Sequence, residues 1–239
     1  TKAVDIVKEK RRALLQMHCT AGNVLHCLAT VVTNSGLAAA KRLIGAGVAV
    51  DDANAQGQTP LHLAVLKNNP KMVKVLIESG GADICLAGHS GQTALHIAFG
   101  RGMFLTATSL VDGVKTLQPS QQVQAYSAVD NEGCTAFHQL IRACLKSGAD
   151  KVALDVAVRL LRLVSPAHLN TVDAQGQNLL HLVCSGEATE LRLQLANSLL
   201  ELQVSPLTVA HDGSTAASQA SKAVGDKRRD LCKLLDHFH

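Results

Sequence analysis

The sequence predicts an all-α solenoid: helix–turn–helix units stacked side by side, with β-turn fingers between them. Three observations point there. One short segment recurs along the chain with the same residue types in the same order. A histidine within it returns at regular intervals. The apolar residues are small and aliphatic, which suits helices packed at short range.

The recurrence is clearest in Gly57-Gln58-Thr59-Pro60-Leu61-His62-Leu63-Ala64 and Gly91-Gln92-Thr93-Ala94-Leu95-His96-Ile97-Ala98. Gly176-Gln177-Asn178-Leu179-Leu180-His181-Leu182-Val183 is a third copy, and Gly133-Cys134-Thr135-Ala136-Phe137-His138 a fourth. Asn23-Val24-Leu25-His26 keeps the Leu-His pair at the front, and Gly213-Ser214-Thr215-Ala216-Ala217-Ser218 keeps Gly and Thr at the back. Successive histidines (26, 62, 96, 138 and 181) stand 36, 34, 42 and 43 residues apart. Aromatics are 2% of the chain, with Tyr126 the lone tyrosine and no tryptophan, so the core relies on Ala, Leu and Val.

Each copy has a local physical logic. Gly57 provides a backbone free to enter a tight turn. Thr59 is expected to cap a helix through its hydroxyl, with Pro60 at the first helical position, where a missing N–H does no harm. Leu61, Ala64 and Val65 give the short first helix an apolar face. Asn69-Pro70 opens a second helix by the same device, with Met72, Val73, Leu76 and Ile77 as its buried stripe and Gly80-Gly81 as its end. One such unit is too small to fold alone; stacking buries what each exposes.

The segment Thr59–Ala64 resembles the signature of the ankyrin repeat, whose period is about 33 residues. The resemblance implies one domain over 1–239, with repeats near 18–53, 54–87, 88–129, 130–172, 173–209 and 210–239. Residues 1–17 are expected to form an N-terminal capping helix carrying Val4, Val7, Leu14 and Leu15. A final helix from about Asp226 to Phe238 is expected to bury Leu231, Leu234 and Leu235. The resemblance also implies that the histidines tie neighbouring turns by hydrogen bonds.

Two units carry surplus residues. The first surplus is placed in Asp112–Gln124, as a loop on the finger side leading to Tyr126, which is itself expected in the core. The second is placed near Lys146–Asp150, between two helices and away from the fingers. Insertions in solenoids map to loops, some of which bind partners.

No residue set points to catalysis. His26, His62, His96, His138 and His181 share one structural slot, so they are expected as ties and not as ligands. His18-Cys19 with His26-Cys27 is a poor zinc set, because His26 already has that slot and Cys27 follows it on a helix expected to be packed. Gly45-Ala46-Gly47 lacks the Lys-Ser/Thr that a phosphate loop needs. Cys144 and Cys184 read as small core residues. No catalytic residue, cofactor or metal is expected, and the chain is read as no enzyme.

Net charge is +4, which does not by itself indicate nucleic acid, and the shortage of aromatics removes stacking platforms; nucleic acid is the least favoured partner. Seven scattered cysteines without a CxxC pair fit a reducing, cytoplasmic or nuclear setting. No membrane span and no signal peptide is read, and a first residue that is not Met suggests a segment of a longer chain.

Function is expected on the concave face, which in this family consists of turn tips and the exposed side of each first helix. The candidate partner-binding residues are the tips Gln56, Gln58, His89, Gln92, Asn131, Glu132, Gln175 and Gln177, with Lys67, Arg101 and Arg142 on the first helices. Those three cations, continued by Lys222, are expected to line up as a basic ridge favouring an acidic or phosphorylated protein partner. The leading expectation is a non-catalytic protein–protein interaction module. The alternatives are a regulatory segment of a larger enzyme or channel and a masking protein like the inhibitors of NF-κB.

Overall fold

The computed structural model describes residues 22–146 and 151–236. Helices come in pairs. α1 (Val24–Ala29) pairs with α2 (Asn34–Gly45), and α3 (Pro60–Leu66) with α4 (Pro70–Lys74), which continues as a π-helical turn over Val75–Ser79. α5 (Ala94–Gly100) pairs with α6 (Phe104–Lys115), followed by an added helix α7 (Pro119–Ser127). α8 (Ala136–Lys146) pairs with α9 (Lys151–Arg162), followed by a single turn α10 (Pro166–Leu169). α11 (Leu179–Cys184) and α12 (Glu190–Glu201), then α13 (Ala216–Lys222) and α14 (Arg228–Asp236), complete the stack.

Local chemistry sets these bounds. Asn69 caps α4 by accepting Met72 N–H at 3.2 Å, and Pro70 sits at the first helical position, as expected. α3 and α5 stop where the chain turns back through a left-handed residue, Asn68 (φ 50°) and Gly102 (φ 61°). Asn and Gly are the residue types that enter that region at least cost. α11 stops differently: the half-buried Arg192 guanidinium reaches back from α12 to the carbonyls of Leu182, Val183 and Ser185. Nothing in the sequence pattern pointed to that cap.

The first helices stack as one row (α1, α3, α5, α8, α11, α13) and the second helices as another. Ala29, Ala64 and Ala98 are fully buried between neighbours, and one continuous core runs from Leu25 to Leu235. Its aromatic centre lies at the middle of the stack: Phe137 meets Phe99 at 5.5 Å and Tyr126 at 5.6 Å between ring centroids. Tyr126 also meets the His168 ring at 5.0 Å, and burial raises its phenol pKa to about 12. Cys144 and Cys184 are core residues, as expected.

Between helix pairs the chain forms fingers, closed by isolated antiparallel bridges such as Ala87–Thr93, Val129–Thr135 and Val209–Thr215. Backbone bonds zip adjacent fingers: His89 N–H to Gln56 O (3.3 Å), Asn131 N–H to Ser90 O (3.2 Å), Ala174 N–H to Gly133 O (2.8 Å) and His211 N–H to Gln175 O (2.9 Å). This close approach makes glycine necessary at Gly133, where φ is 74° and a Cβ would overlap that of Ala174.

Several expectations are corrected. The first surplus is not a loop: Asp112–Lys115 finishes α6 and Pro119–Ser127 is helical, because Ala125 and Tyr126 supply a buried edge that packs on α6, α8 and α10. The second surplus lengthens α8 to Lys146 and is partly spent on α10, which was not expected there. Thr59 opens α3 not by its hydroxyl alone but in a capping box with His62, whose Nδ1 lies 2.9 Å from that hydroxyl. The helix that carries Cys27 is packed, as expected, through Leu25, His26 and Ala29, with Cys27 itself on its exposed side. The final helix spans Arg228–Asp236, with Leu231 and Leu235 buried and Leu234 half-buried. The expected capping helix of 1–17, His18-Cys19, Ser147–Asp150 and the last three residues, with Phe238, lie outside the described residues. Among the described residues no helix is long and apolar enough to cross a membrane.

Because Phe137 joins two units through one buried ring, Phe137→Ala is expected to cost about 3–5 kcal/mol. Thermal or urea denaturation followed by circular dichroism checks this.

Candidate functional site: the fingers and first helices

The motif histidines are wholly absorbed into the scaffold. In each, Nδ1 faces the residue that opens its own helix, and Nε2 reaches a carbonyl of the next finger. The Nε2 distances are 2.9 Å for His26 to Gln58 O, 3.1 Å for His62 to Gln92 O and 2.9 Å for His96 to Cys134 O. They are 3.0 Å for His138 to Gln177 O and 3.1 Å for His181 to Ser214 O. At His62 and His96, Nδ1 accepts the backbone N–H of Thr59 (3.2 Å) and Thr93 (3.3 Å), which leaves the proton on Nε2, facing the carbonyl; at His26 and His181, Nδ1 lies 2.9 and 2.8 Å from the side-chain oxygens of Asn23 and Asn178. In the last unit Ser218 takes the slot, and its hydroxyl accepts Thr215 N–H at 2.9 Å without reaching onward.

All five rings are buried. Burial pushes the pKa of His62, His96 and His138 below the ordinary 6.5, against smaller upward pulls from their carbonyl partners and, at His138, from Asp173.

The finger tips are held by a second device. Asn54 Oδ1 accepts the N–H groups of Gln56 (3.0 Å) and Gln58 (2.9 Å). Asp130 Oδ1 does the same for Glu132 (2.9 Å) and Cys134 (3.0 Å), and Asp173 Oδ1 for Gln175 (2.9 Å) and Gln177 (2.8 Å). These residues stand at one register, three before each finger glycine.

Of the residues expected to bind a partner, Gln56, Gln58, Gln92 and Arg101 come together around a groove of about 350 Å³. Its walls also include Leu66, Ile97, Ser90 and Gln139, with Gly88 and Gly100 at the edges and His62 and His96 beneath. The remaining candidates are placed otherwise. Lys67 is exposed at the end of α3, outside the lining. The His89 ring lies over Gly57, and Asn131 Nδ2 is spent on His89 O at 3.0 Å. Gln175 and Gln177 belong to the fifth finger, away from this groove.

The expected ridge is interrupted. Arg142 Nη1 is 3.1 Å from Glu132 Oε2, so this cation is paired within its own unit. Among the described residues no carboxylate lies within ion-pair distance of Lys67 or Arg101, and Lys222 is exposed. Sequence reasoning missed Gly88, Ser90, Gly100 and Gln139. The available signal was Gly88 itself, which stands where Asn54, Asp130 and Asp173 stand.

A second groove, of about 940 Å³, runs over the second helices α9, α12 and α14, floored by Leu154, Val158, Leu193 and Leu234. Much of its rim charge is used internally: Asp155 pairs with Arg159, Arg162 with Glu201, and Lys227 with both Glu190 and Asp230. Among the described residues no group of three His, Cys, Asp or Glu side chains is arranged to hold a metal ion.

Comparison with known proteins agrees with this architecture. The family model described as ankyrin repeats matches residues 6–88 and 25–122. An ankyrin repeat domain from Acinetobacter baumannii superposes with a TM-score of 0.66 at 19% identity, covering 89% of this chain and 96% of that one. The chain belongs to the ankyrin-repeat family, a protein–protein interaction fold. The chicken nuclear factor NF-kappa-B p105 subunit is 36% identical over 113 residues, 46% of this chain and 11% of the relative. The mouse B-cell lymphoma 3 protein homolog is 31% identical over 140 residues, 55% of this chain and 30% of the relative. The chain therefore spans less than a third of the length of either curated relative.

Since the three downshifted histidines stay neutral in the fold, the unfolded chain takes up protons that the folded chain does not as pH falls through 6.5. Stability is therefore expected to be flat above about pH 7.5 and to fall progressively between about pH 7 and pH 5. Urea midpoints measured across this range check it.

Proposed function

We propose that this chain is a non-catalytic module, one ankyrin domain of about six units, that binds a partner protein on the face made by the fingers and first helices. The observation that carries this is the polar groove in which Gln56, Gln58, Gln92 and Arg101 converge. Glutamine amides supply adaptable donors and acceptors, and Arg101 adds a cation that no carboxylate among the described residues pairs. An acidic or phosphorylated segment is the partner this chemistry favours. The tips Asn131, Glu132, Gln175 and Gln177 extend the proposed face, and Lys67 and His89 flank it. The proposed setting is intracellular, cytoplasmic or nuclear, with no cofactor.

A second reading is favoured by the two curated relatives: masking of a Rel-type transcription-factor dimer, by analogy with the NF-kappa-B subunit and the B-cell lymphoma 3 protein homolog. The small share of those relatives that is matched also fits a regulatory segment within a larger protein. Absence of association with a purified Rel-homology dimer sinks the masking reading.

The main proposal predicts that Lys67→Glu with Arg101→Glu weakens binding of a labelled acidic peptide about tenfold or more at low salt and flattens its salt dependence. Arg142→Glu is expected to do less, because Arg142 is already paired with Glu132. Fluorescence anisotropy over a salt series measures both, and unchanged affinity in the double variant overturns the acidic-partner proposal.

A further inference from the structure

The third finger lacks a part that three others have. Asn54, Asp130 and Asp173 each place one side-chain oxygen on two N–H groups of their own finger. The equivalent residue in the third finger is Gly88, which has no side chain to do this. The corresponding donors are the N–H groups of Ser90 and Gln92. Among the described residues neither finds an acceptor, in backbone or side chain. Both residues line the 350 Å³ groove, as does Gly88.

The missing side chain is not demanded by the backbone. Gly88 does not take up the left-handed conformation that favours glycine, and a Cβ there would meet its nearest atom, Gly57 O, at 3.6 Å, an ordinary contact. Gly100 follows the same pattern: it is helical, and a Cβ would meet Gln139 Cβ at 3.5 Å. The fold would accept side chains at both places, and both would intrude on the groove. Arg101 follows Gly100 and is on the groove wall. In the neighbouring finger, Asp130 shows what such a place holds: its carboxylate is buried, with Oδ1 on two N–H groups and Oδ2 taking Gln139 Nε2 at 2.6 Å.

We propose that the groove over the third finger is a carboxylate site, in which an Asp or Glu side chain of a partner segment supplies the oxygen that Gly88 withholds. One oxygen accepts the Ser90 and Gln92 N–H groups, and the Arg101 guanidinium balances the charge. This rests on the reading that the finger face takes an acidic segment, and it fixes where the acidic residue is read.

The variant that isolates this feature is Gly88→Asp, which supplies the carboxylate from the chain itself. It is expected to raise the melting temperature, as the two donors become satisfied, and to weaken binding of an oligoglutamate peptide roughly ten- to a hundredfold. Gly88→Ala, which adds no acceptor, is expected to bind more tightly than Gly88→Asp. In ¹⁵N-resolved NMR of the wild-type chain, the Ser90 and Gln92 amides are expected to shift downfield and saturate with oligoglutamate, and to stay still with oligoglutamine. If oligoglutamate binds but those amides do not move, or Gly88→Asp binds as well as wild type, the carboxylate site is wrong while the acidic-partner reading stands. If oligoglutamate does not bind the wild-type chain at all, both fall.

Discussion

The stack depends on one interaction repeated along its length: a buried imidazole joining its own helix start to a carbonyl of the next finger. A single helix pair here has too little apolar surface to hold itself together, and its finger leaves backbone groups unmatched. The imidazole addresses both problems. It satisfies an N–H at the helix start and a carbonyl one unit away, across a span that only a rigid ring with polar atoms on both sides bridges. The next finger must then sit at the depth where that carbonyl is in reach, so unit spacing follows from ring geometry as much as from alanine packing. Where Ser218 replaces the ring, the hydroxyl holds its own helix start and reaches no further.

That constraint leaves the side chains of the finger face free of scaffold duties, which is what the proposed recognition role requires. Because the histidines and the Asn/Asp tip caps consume the obligatory hydrogen bonds, residues such as Gln56, Gln58 and Gln92 contribute carbonyls to the scaffold while their side chains remain at the surface. In the proposed reading, function resides in how individual units depart from the pattern. The largest departures lie at the middle of the stack. Gly88 and Gly100 line a groove, while Phe99, Tyr126 and Phe137 pack together in the core beside it. Arg142 illustrates the opposite case, a cation on the expected row whose charge is taken up by Glu132 on the finger of its own unit.

The recurring Gly–Thr–Leu–His segment was sufficient in itself to determine the helix pairs, the fingers, the slot of each histidine and the core role of Cys144, Cys184 and Tyr126. All of these follow from short-range stereochemistry, capping and apolar spacing, which a linear chain displays. The surplus residues were misread for a reason of the same kind. Pro119–Ser127 has weak polarity contrast, so nothing local announced a helix; Ala125 and Tyr126 become its buried edge only against α8 and α10, which come later in the chain. The Arg192 cap was hidden likewise, since an arginine on α12 meets the α11 carbonyls only after the chain has reversed. Which candidate residues share a site was decided by stacking alone. Gln56 and Arg101 meet across two units, Arg142 is neutralised across a turn, and the unfilled place at Gly88 has meaning only beside three fingers that fill it. Spacing along the chain encodes what each unit is; proximity between units, which spacing does not encode, decides what their surface can hold.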